Sequence, residues 1–261
     1  LSTHVFLGPT LPAAEAATIL PAEYHPPVSL GDVYRSVRRG ARRILVVDGY
    51  FERVPAVWHK EILFALAEGV SVYGCSSMGA LRAAELHPYG MVGIGEVFRA
   101  YRDGELEDDD DVAVAHGPAE AGFRRLSEAM VDIRYTLGQA QDGAVASPST
   151  CAWLARTAKA SFYPDRHWGT LLREAGRAGL PDGELAALRD LVRHTAPSVK
   201  RQDAIEALTR LATDTGSGDT GSGDTGSGDT GSGPGPRFAF EVTDSWRRLE
   251  QTEAPERPLD E

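Results

Sequence analysis

The stretch Val70–Leu86, V-S-V-Y-G-C-S-S-M-G-A-L-R-A-A-E-L, decides the fold. Val70 to Tyr73 is short, β-branched and aromatic, the pattern of a buried strand. Met78 to Leu86 is rich in alanine and leucine and predicts a helix. Only Gly74 to Ser77 lie between them. A strand that turns so sharply into a helix lifts the residue at the turn above the sheet edge. The first N–H groups of the helix then point at whatever lies there. Ser77 stands at the turn and Gly79 two residues later, close to the G-x-S-x-G pattern of a nucleophile elbow, with Cys75 in the place of the first glycine. The same position also suits a serine that only caps the helix, and Ser76 is a rival nucleophile.

Upstream of this stretch, His4 to Leu7 and Ile44 to Val47 are predicted strands, and Tyr24 starts a short extended piece that Pro26-Pro27 ends. Helices are predicted over 12–20, 32–38 and 55–68. Strands alternating with helices at this spacing predict βαβ units. The expected fold class is α/β, a largely parallel sheet flanked by helices. In such sheets, sites gather at the carboxyl ends of the strands. Three turns fall there: Gly8 to Thr10, Asp48 to Phe51, and Cys75 to Ser77. Asp48 either orients a base or binds a substrate group, or it caps the turn it begins.

Downstream, Gly93 to Tyr101 reads as a helix and Val112 to Ala115 as a strand. Between them Glu105 and Glu107 to Asp111 form a dense carboxylate cluster, read as a solvated acidic loop, with a metal site or a docking surface for a basic partner as the other readings. Residues 119–141 predict one long helix with the stripe Phe123, Leu126, Met130 and Ile133. Several shorter helices follow to Leu211. The expected division is an α/β core over 1–165, a C-terminal α-helical appendage over 166–212, a linker over 213–236 and a tail over 237–261. The linker holds four copies of D-T-G-S-G. A repeat without apolar residues buries nothing and is expected to be disordered, spanning roughly 25 Å as a coil.

Composition narrows the function. A formal charge of -11 argues against nucleic acid and anionic membrane as partners. The only cysteines, Cys75 and Cys151, make neither a disulfide framework nor a zinc site. No apolar run reaches the roughly 18 residues of a membrane span, and the first residues lack a signal-peptide pattern, so a cytoplasmic protein is expected. Gly93-x-Gly95 is not a dinucleotide fingerprint, and no metal or cofactor is expected on this chain. Among 27 basic residues only Lys60, Lys159 and Lys200 are lysines. Arginine keeps its proton in a protein, whereas a desolvated lysine loses it. On the predicted helix Lys60 has Ala56, Val57, Leu63 and Phe64 three and four residues away, all apolar and none a carboxylate. A lysine in such a stripe either snorkels to solvent or is partly desolvated; a neutral Lys60 amine acting as general base on Ser77 is geometrically allowed, with His59 and His116 as rival bases.

Four blocks resemble the TfuA-like family in order and spacing, over about residues 4 to 165. They are V-F-L-G-P-T-L (5–11), D-G-Y-F-E-R-V-P-A-V-W-H-K-E-I-L (48–63), S-S-M-G-A-L-R-A-A-E-L (76–86) and Y-R-D-G-E-L-E-D-D-D (101–110). TfuA proteins act with YcaO enzymes in making peptide thioamides. The resemblance therefore implies a YcaO-type partner that uses ATP, so that the nucleotide sits on the partner. It also implies a ThiS-like sulfur carrier whose thiocarboxylate this chain hydrolyses to release sulfide, and help for the YcaO enzyme in engaging the precursor peptide. It carries the family's Ser–Lys pair onto Ser77 and Lys60. The implied chemistry is acyl transfer. Met78 offers the first oxyanion N–H and the Gly8–Thr10 turn a second. Asp48 and Arg82 are substrate-binding candidates, Arg82 either steering a carboxylate terminus or pairing with Glu85. Cys75 is a lesser candidate for relaying sulfur as a persulfide. The alternative is a non-catalytic adaptor that docks precursor peptide, YcaO enzyme and carrier. An ordinary esterase is disfavoured, because no downstream Asp and His form a recognisable triad.

Overall fold

The computed structural model describes residues 2–51, 54–195, 197–214 and 238–253. Five strands form one sheet in the order β2-β1-β3-β4-β5, every neighbouring pair parallel. They are β1 (Thr3–Phe6), β2 (Glu23–His25), β3 (Arg43–Val46), β4 (Ser71–Gly74) and β5 (Val92–Gly93). The fold is α/β, as the alternation of apolar runs and helical segments predicts. This is a doubly wound order, with the chain reversing its winding direction between β1 and β3, where such folds open a crevice.

Both faces of the sheet are covered, which is why its central strands read as continuous apolar runs. Phe6, Ile44, Val46 and Val72 face one core with α2 (Asp32–Arg38), α3 (His59–Ala67) and α4 (Met78–Leu86). Val5, Leu45 and Val47 face a second core with α1 (Ala13–Ile19) and α10 (Val199–Thr213), whose Ala204, Ala207, Leu208 and Leu211 are buried there. The sharp link from β4 to α4 depends on two glycines. A Cβ on Gly79 would stand 1.8 Å from the Val46 carbonyl oxygen, and one on Gly74 would stand 2.1 Å from the Gly79 carbonyl oxygen. Only residues without a side chain let the helix start this close to the strands. Gly74, one place before Cys75, thus takes the part expected of the elbow's first glycine.

Three local expectations are corrected. The helix expected over 55–68 starts four residues late, at His59, because Trp58 is extended and the buried Glu61 carboxylate accepts its N–H at 3.2 Å. The helix expected over 119–141 is α6 (Met130–Asp142) alone. Gly122 and Phe123 are both left-handed (φ 63° and 54°), and no right-handed helix continues through them. Leu126 is accordingly exposed, while Met130 and Ile133 are buried. Finally, 112–115 is not a strand. The fifth strand is Val92–Gly93, and α5 (Glu96–Arg102) starts after it, its first N–H groups capped by the Asp203 carboxylate at 2.8 and 2.9 Å.

Residue 165 is not a boundary in the packing. Met130, Ile133 and Leu137 of α6 pack with α7 (Pro148–Ala160), α8 (Trp168–Arg177) and α9 (Asp182–His194) in a helical cluster. Helix α10, expected in the appendage, returns to the sheet. In the tail, α11 (Asp244–Glu253) buries Trp246 and Leu249 against Tyr34 of α2, with Phe64 of α3 beside them. Residues 215–237, which hold the repeat beyond Asp214, and residues 254–261 lie outside the described residues. Among the described residues, no helix is long and apolar enough to cross a membrane.

Candidate active site

The site grows from the turn between β4 and α4. Ser76 has φ +64°, in the left-handed region that a non-glycine residue rarely adopts. That bend brings the Ser77 N–H onto the Cys75 carbonyl at 2.8 Å and sets Ser77 at the N-cap of α4. The Ser76 hydroxyl donates to the Lys200 carbonyl at 2.7 Å. Lys200 is the second residue of α10, and its Nζ donates to Ser77 Oγ at 3.2 Å and to the Val112 carbonyl at 2.8 Å. Ser77 and Lys200 are each only 3% exposed. Two further bonds fix the start of α10. The Asp132 carboxylate accepts the Lys200 N–H at 3.2 Å, and Ser198 Oγ accepts the Arg201 N–H at 3.1 Å.

Electrostatics favours a neutral amine. Burial pushes the Lys200 pKa below the ordinary lysine value, against the opposing pull of Asp48 and Asp132 and helped by Arg125. Burial in turn raises the Asp132 carboxyl, which weakens the pull that would hold Lys200 charged. A neutral Nζ that donates one N–H to Val112 retains a lone pair for the Ser77 hydroxyl.

Lys60, expected as the partner of Ser77, is elsewhere. Its Nζ donates to Thr243 Oγ1 at 3.1 Å and lies 5.5 Å from the centre of the Phe240 ring. Of the apolar residues around it, Ala56, Val57 and Leu63 pack in the core shared with α2 and α4, and Phe64 packs against Phe240 and Trp246 of the C-terminal segment. The expected Ser77–Lys60 pair is therefore corrected to Ser77–Lys200. The scarcity of lysine nominated Lys200 in the sequence, but nothing local there shows that its helix returns to the sheet. Of the rival bases, His59 pairs with Glu85 at 2.7 Å, and His116 packs its ring against Tyr50 and Phe123.

The other candidates divide clearly. The Asp48 carboxylate accepts the Gly8 N–H at 2.9 Å, the Thr10 N–H at 3.0 Å and the Thr10 hydroxyl at 2.6 Å. The Gly8–Thr10 turn thus turns its donors to Asp48, which corrects the expectation of a second oxyanion donor there. Asp48 ties the ends of β1 and β3 together at the switch point and acts on Lys200 through its charge. In the first turn of α4 the Gly79, Ala80 and Leu81 N–H groups bond to Val47, Cys75 and Ser77 carbonyls. The Met78 N–H has no hydrogen-bond partner among the described residues. Arg82 donates from Nη1 to Glu85 at 2.8 Å, and its Nε is buried without a partner among the described residues. Cys75 is fully buried, and burial drives its thiol far above the usual range, a poor setting for a persulfide relay.

A cavity of about 460 Å³ is lined among others by Tyr50, Phe51, Met78, Arg82 and Ala113, with the acidic loop 107–110 as one wall; it reaches Met78, next to Ser77, but neither Ser77 nor Lys200 is in its lining. That loop is internally paired. Lys159 binds Asp108 at 2.8 Å, Asp111 at 3.2 Å and Asp110, so an ammonium already holds the place that a metal would take. The fully buried Arg166 donates to the Asp110 carbonyl at 2.7 Å and to its carboxylate, and Arg134 binds Asp111 at 2.9 Å. Arg166→Met is expected to lower stability by about 2 kcal/mol, less than the roughly 3–5 kcal/mol of a fully buried ion pair because Asp110 is a third exposed. Urea unfolding checks this, and an unchanged midpoint would show that the loop holds without the pair.

A doubly wound parallel sheet with a serine on a strand-to-helix elbow and a buried lysine against it defines the class: an α/β protein with a Ser–Lys site at the carboxyl edge of the sheet. Residues 48–167 match the sequence model of the family described as TfuA-like protein, so over this segment the chain is similar to that family. It supports an accessory role in thioamidation, within a modification system. The matched segment includes Asp48, Ser77, Met78 and Arg82 and ends before Lys200. No curated protein matches the chain.

Proposed function

We propose that the chain is a Ser–Lys hydrolase that cleaves the thiocarboxylate of a ThiS-type carrier and supplies sulfide to a YcaO-type partner forming peptide thioamides. The observation that carries this reading is the buried Lys200 amine 3.2 Å from Ser77 Oγ. Neutral Lys200 takes the proton of the Ser77 hydroxyl, and Oγ attacks the thiocarboxylate carbon. The Met78 N–H, at the positive end of α4, receives the negative charge of the tetrahedral intermediate. The C–S bond breaks, and sulfide leaves with the proton held by Lys200. A water, deprotonated by Lys200, then attacks the ester. The carrier departs as a carboxylate and Ser77 regains its proton. Arg82 in the cavity wall meets the anionic terminus of the carrier.

Sulfide release from a thiocarboxylated ubiquitin-like carrier tests the reading. The intact chain is expected to release sulfide. Ser77→Ala is expected to lose at least about 10³-fold of the rate, in the range for loss of an activated nucleophile. Lys60→Ala, altered at a surface that holds the C-terminal segment, is expected to keep it. If the folded intact chain released no sulfide, the reading would give way to an adaptor that docks carrier, precursor peptide and YcaO enzyme without chemistry of its own.

A further inference from the structure

We propose that His4, Glu23 and His25 form a binding site for a divalent transition cation of the Zn²⁺ class, at the β2 edge of the sheet and separate from the Ser77 site. The site follows from strand register. His4 of β1 pairs with Glu23 of β2, and Phe6 pairs with His25. Residues opposite each other in a parallel pair share a sheet face, and so do residues two apart on one strand. All three side chains therefore converge on the face covered by α2.

The three side chains are in direct polar contact. His4 Nδ1 lies 3.1 Å from His25 Nε2, His25 Nε2 lies 3.4 Å from Glu23 Oε1, and His4 Nε2 lies 3.4 Å from Glu23 Oε2. One donor atom from each residue lies within 4.8 Å of the other two. Two donors on a tetrahedral Zn²⁺, with bonds of about 2.0–2.1 Å, stand about 3.3 Å apart. Two imidazoles and one carboxylate favour Zn²⁺ and its transition-series neighbours over Mg²⁺ or Ca²⁺, which prefer oxygen ligands alone.

The surroundings fit a bound cation. Ser36 Oγ lies 3.2 Å from His4 Nδ1 and Ser2 Oγ 3.2 Å from His4 Nε2, so the serine on the nitrogen that takes the cation gives way and the other holds the ring, while Phe6 stacks on His25. Of the charged groups that act on the rings, Glu23 and Asp32 favour a cation and Arg39 opposes it. Three protein ligands leave one position for water. A cation here would cross-link β1 to the three-residue edge strand β2.

Titration of the untagged full chain with Co²⁺, followed by Zn²⁺ competition, tests the site. The expected result is one equivalent of Co²⁺ with the visible absorption of four-coordinate cobalt, displaced by Zn²⁺, and a rise in Tm with Zn²⁺. His25→Ala and Glu23→Gln, both at partly exposed positions, are expected to weaken binding at least about tenfold while keeping the circular-dichroism spectrum of the intact chain. The proposal is overturned if the folded chain shows neither the spectrum nor the Tm shift. It is equally overturned if both variants bind as the intact chain does, which would place the cation elsewhere, such as at Asp108, Asp110 and Asp111.

Discussion

Replacing Lys200 with methionine is expected to cut sulfide release by at least about 10³-fold in a chain that still folds. Methionine keeps much of the length and apolar stem of lysine and removes only the amine. The Lys200 side chain is buried, so losing its amine removes the cost of burying a polar group as well as two hydrogen bonds. The Ser77 hydroxyl keeps an acceptor in the Val112 carbonyl, 3.4 Å away. The expected stability change is therefore within about 1–3 kcal/mol, whereas losing the general base costs about 10²–10⁴-fold in rate. Lys200→Arg is expected to be as slow, because the guanidinium keeps its proton. The pH profile separates a base from a prop. In the intact chain the amine must be neutral, so release rises with pH through the Lys200 pKa and levels off below the ordinary lysine range. In Lys200→Met that rise should vanish. Full release by the folded methionine variant would place the base elsewhere.

The second large effect falls on Gly79. Gly79→Ala is expected to destabilise the fold by more than about 3 kcal/mol, beyond the usual cost of an overpacked core. The new methyl carbon would stand 1.8 Å from the Val46 carbonyl oxygen and 2.6 Å from its carbon, both backbone atoms that no rotamer change moves aside. Relief requires α4 to back away from β3, which pulls Ser77 off Lys200 and breaks the Gly79 N–H bond to Val47. By contrast, Gly138→Ala, on α6, meets nothing within 4 Å and is expected to be neutral or mildly stabilising. Chemical denaturation of the two variants side by side checks the contrast. Equal midpoints would mean that the elbow adjusts more freely than its backbone contacts suggest.

The parts legible in the sequence were those that short-range physics writes into it. Ile44 to Val47 is a continuous apolar run because β3 is covered on both faces. Ser77 to Gly79 marks an elbow because a close turn excludes side chains. What failed was decided at long range. The helix predicted over 119–141 scores well by periodicity, yet the left-handed backbone at Phe123, bridged through His116 and Arg125, cuts it. Lys60 sits in an apolar stripe, as a desolvated base would. The stripe, however, packs Val57 and Leu63 in the main core and Phe64 against Phe240 and Trp246, more than 170 residues downstream. Lys200 carried one hint, the scarcity of lysine. That its helix packs on the sheet is a tertiary fact that no local window records.

The Ser77–Lys200 contact closes a loop of 123 residues. Contacts of such separation form late, because chain entropy must be overcome before they reward it. During synthesis the elbow can emerge and fold while its amine is still inside the ribosome. On the proposed chemistry, a nascent or prematurely ended chain would hold the serine but lack the group that arms it. Sulfide release would then begin only once α10 had docked, making the activity a readout of completed folding.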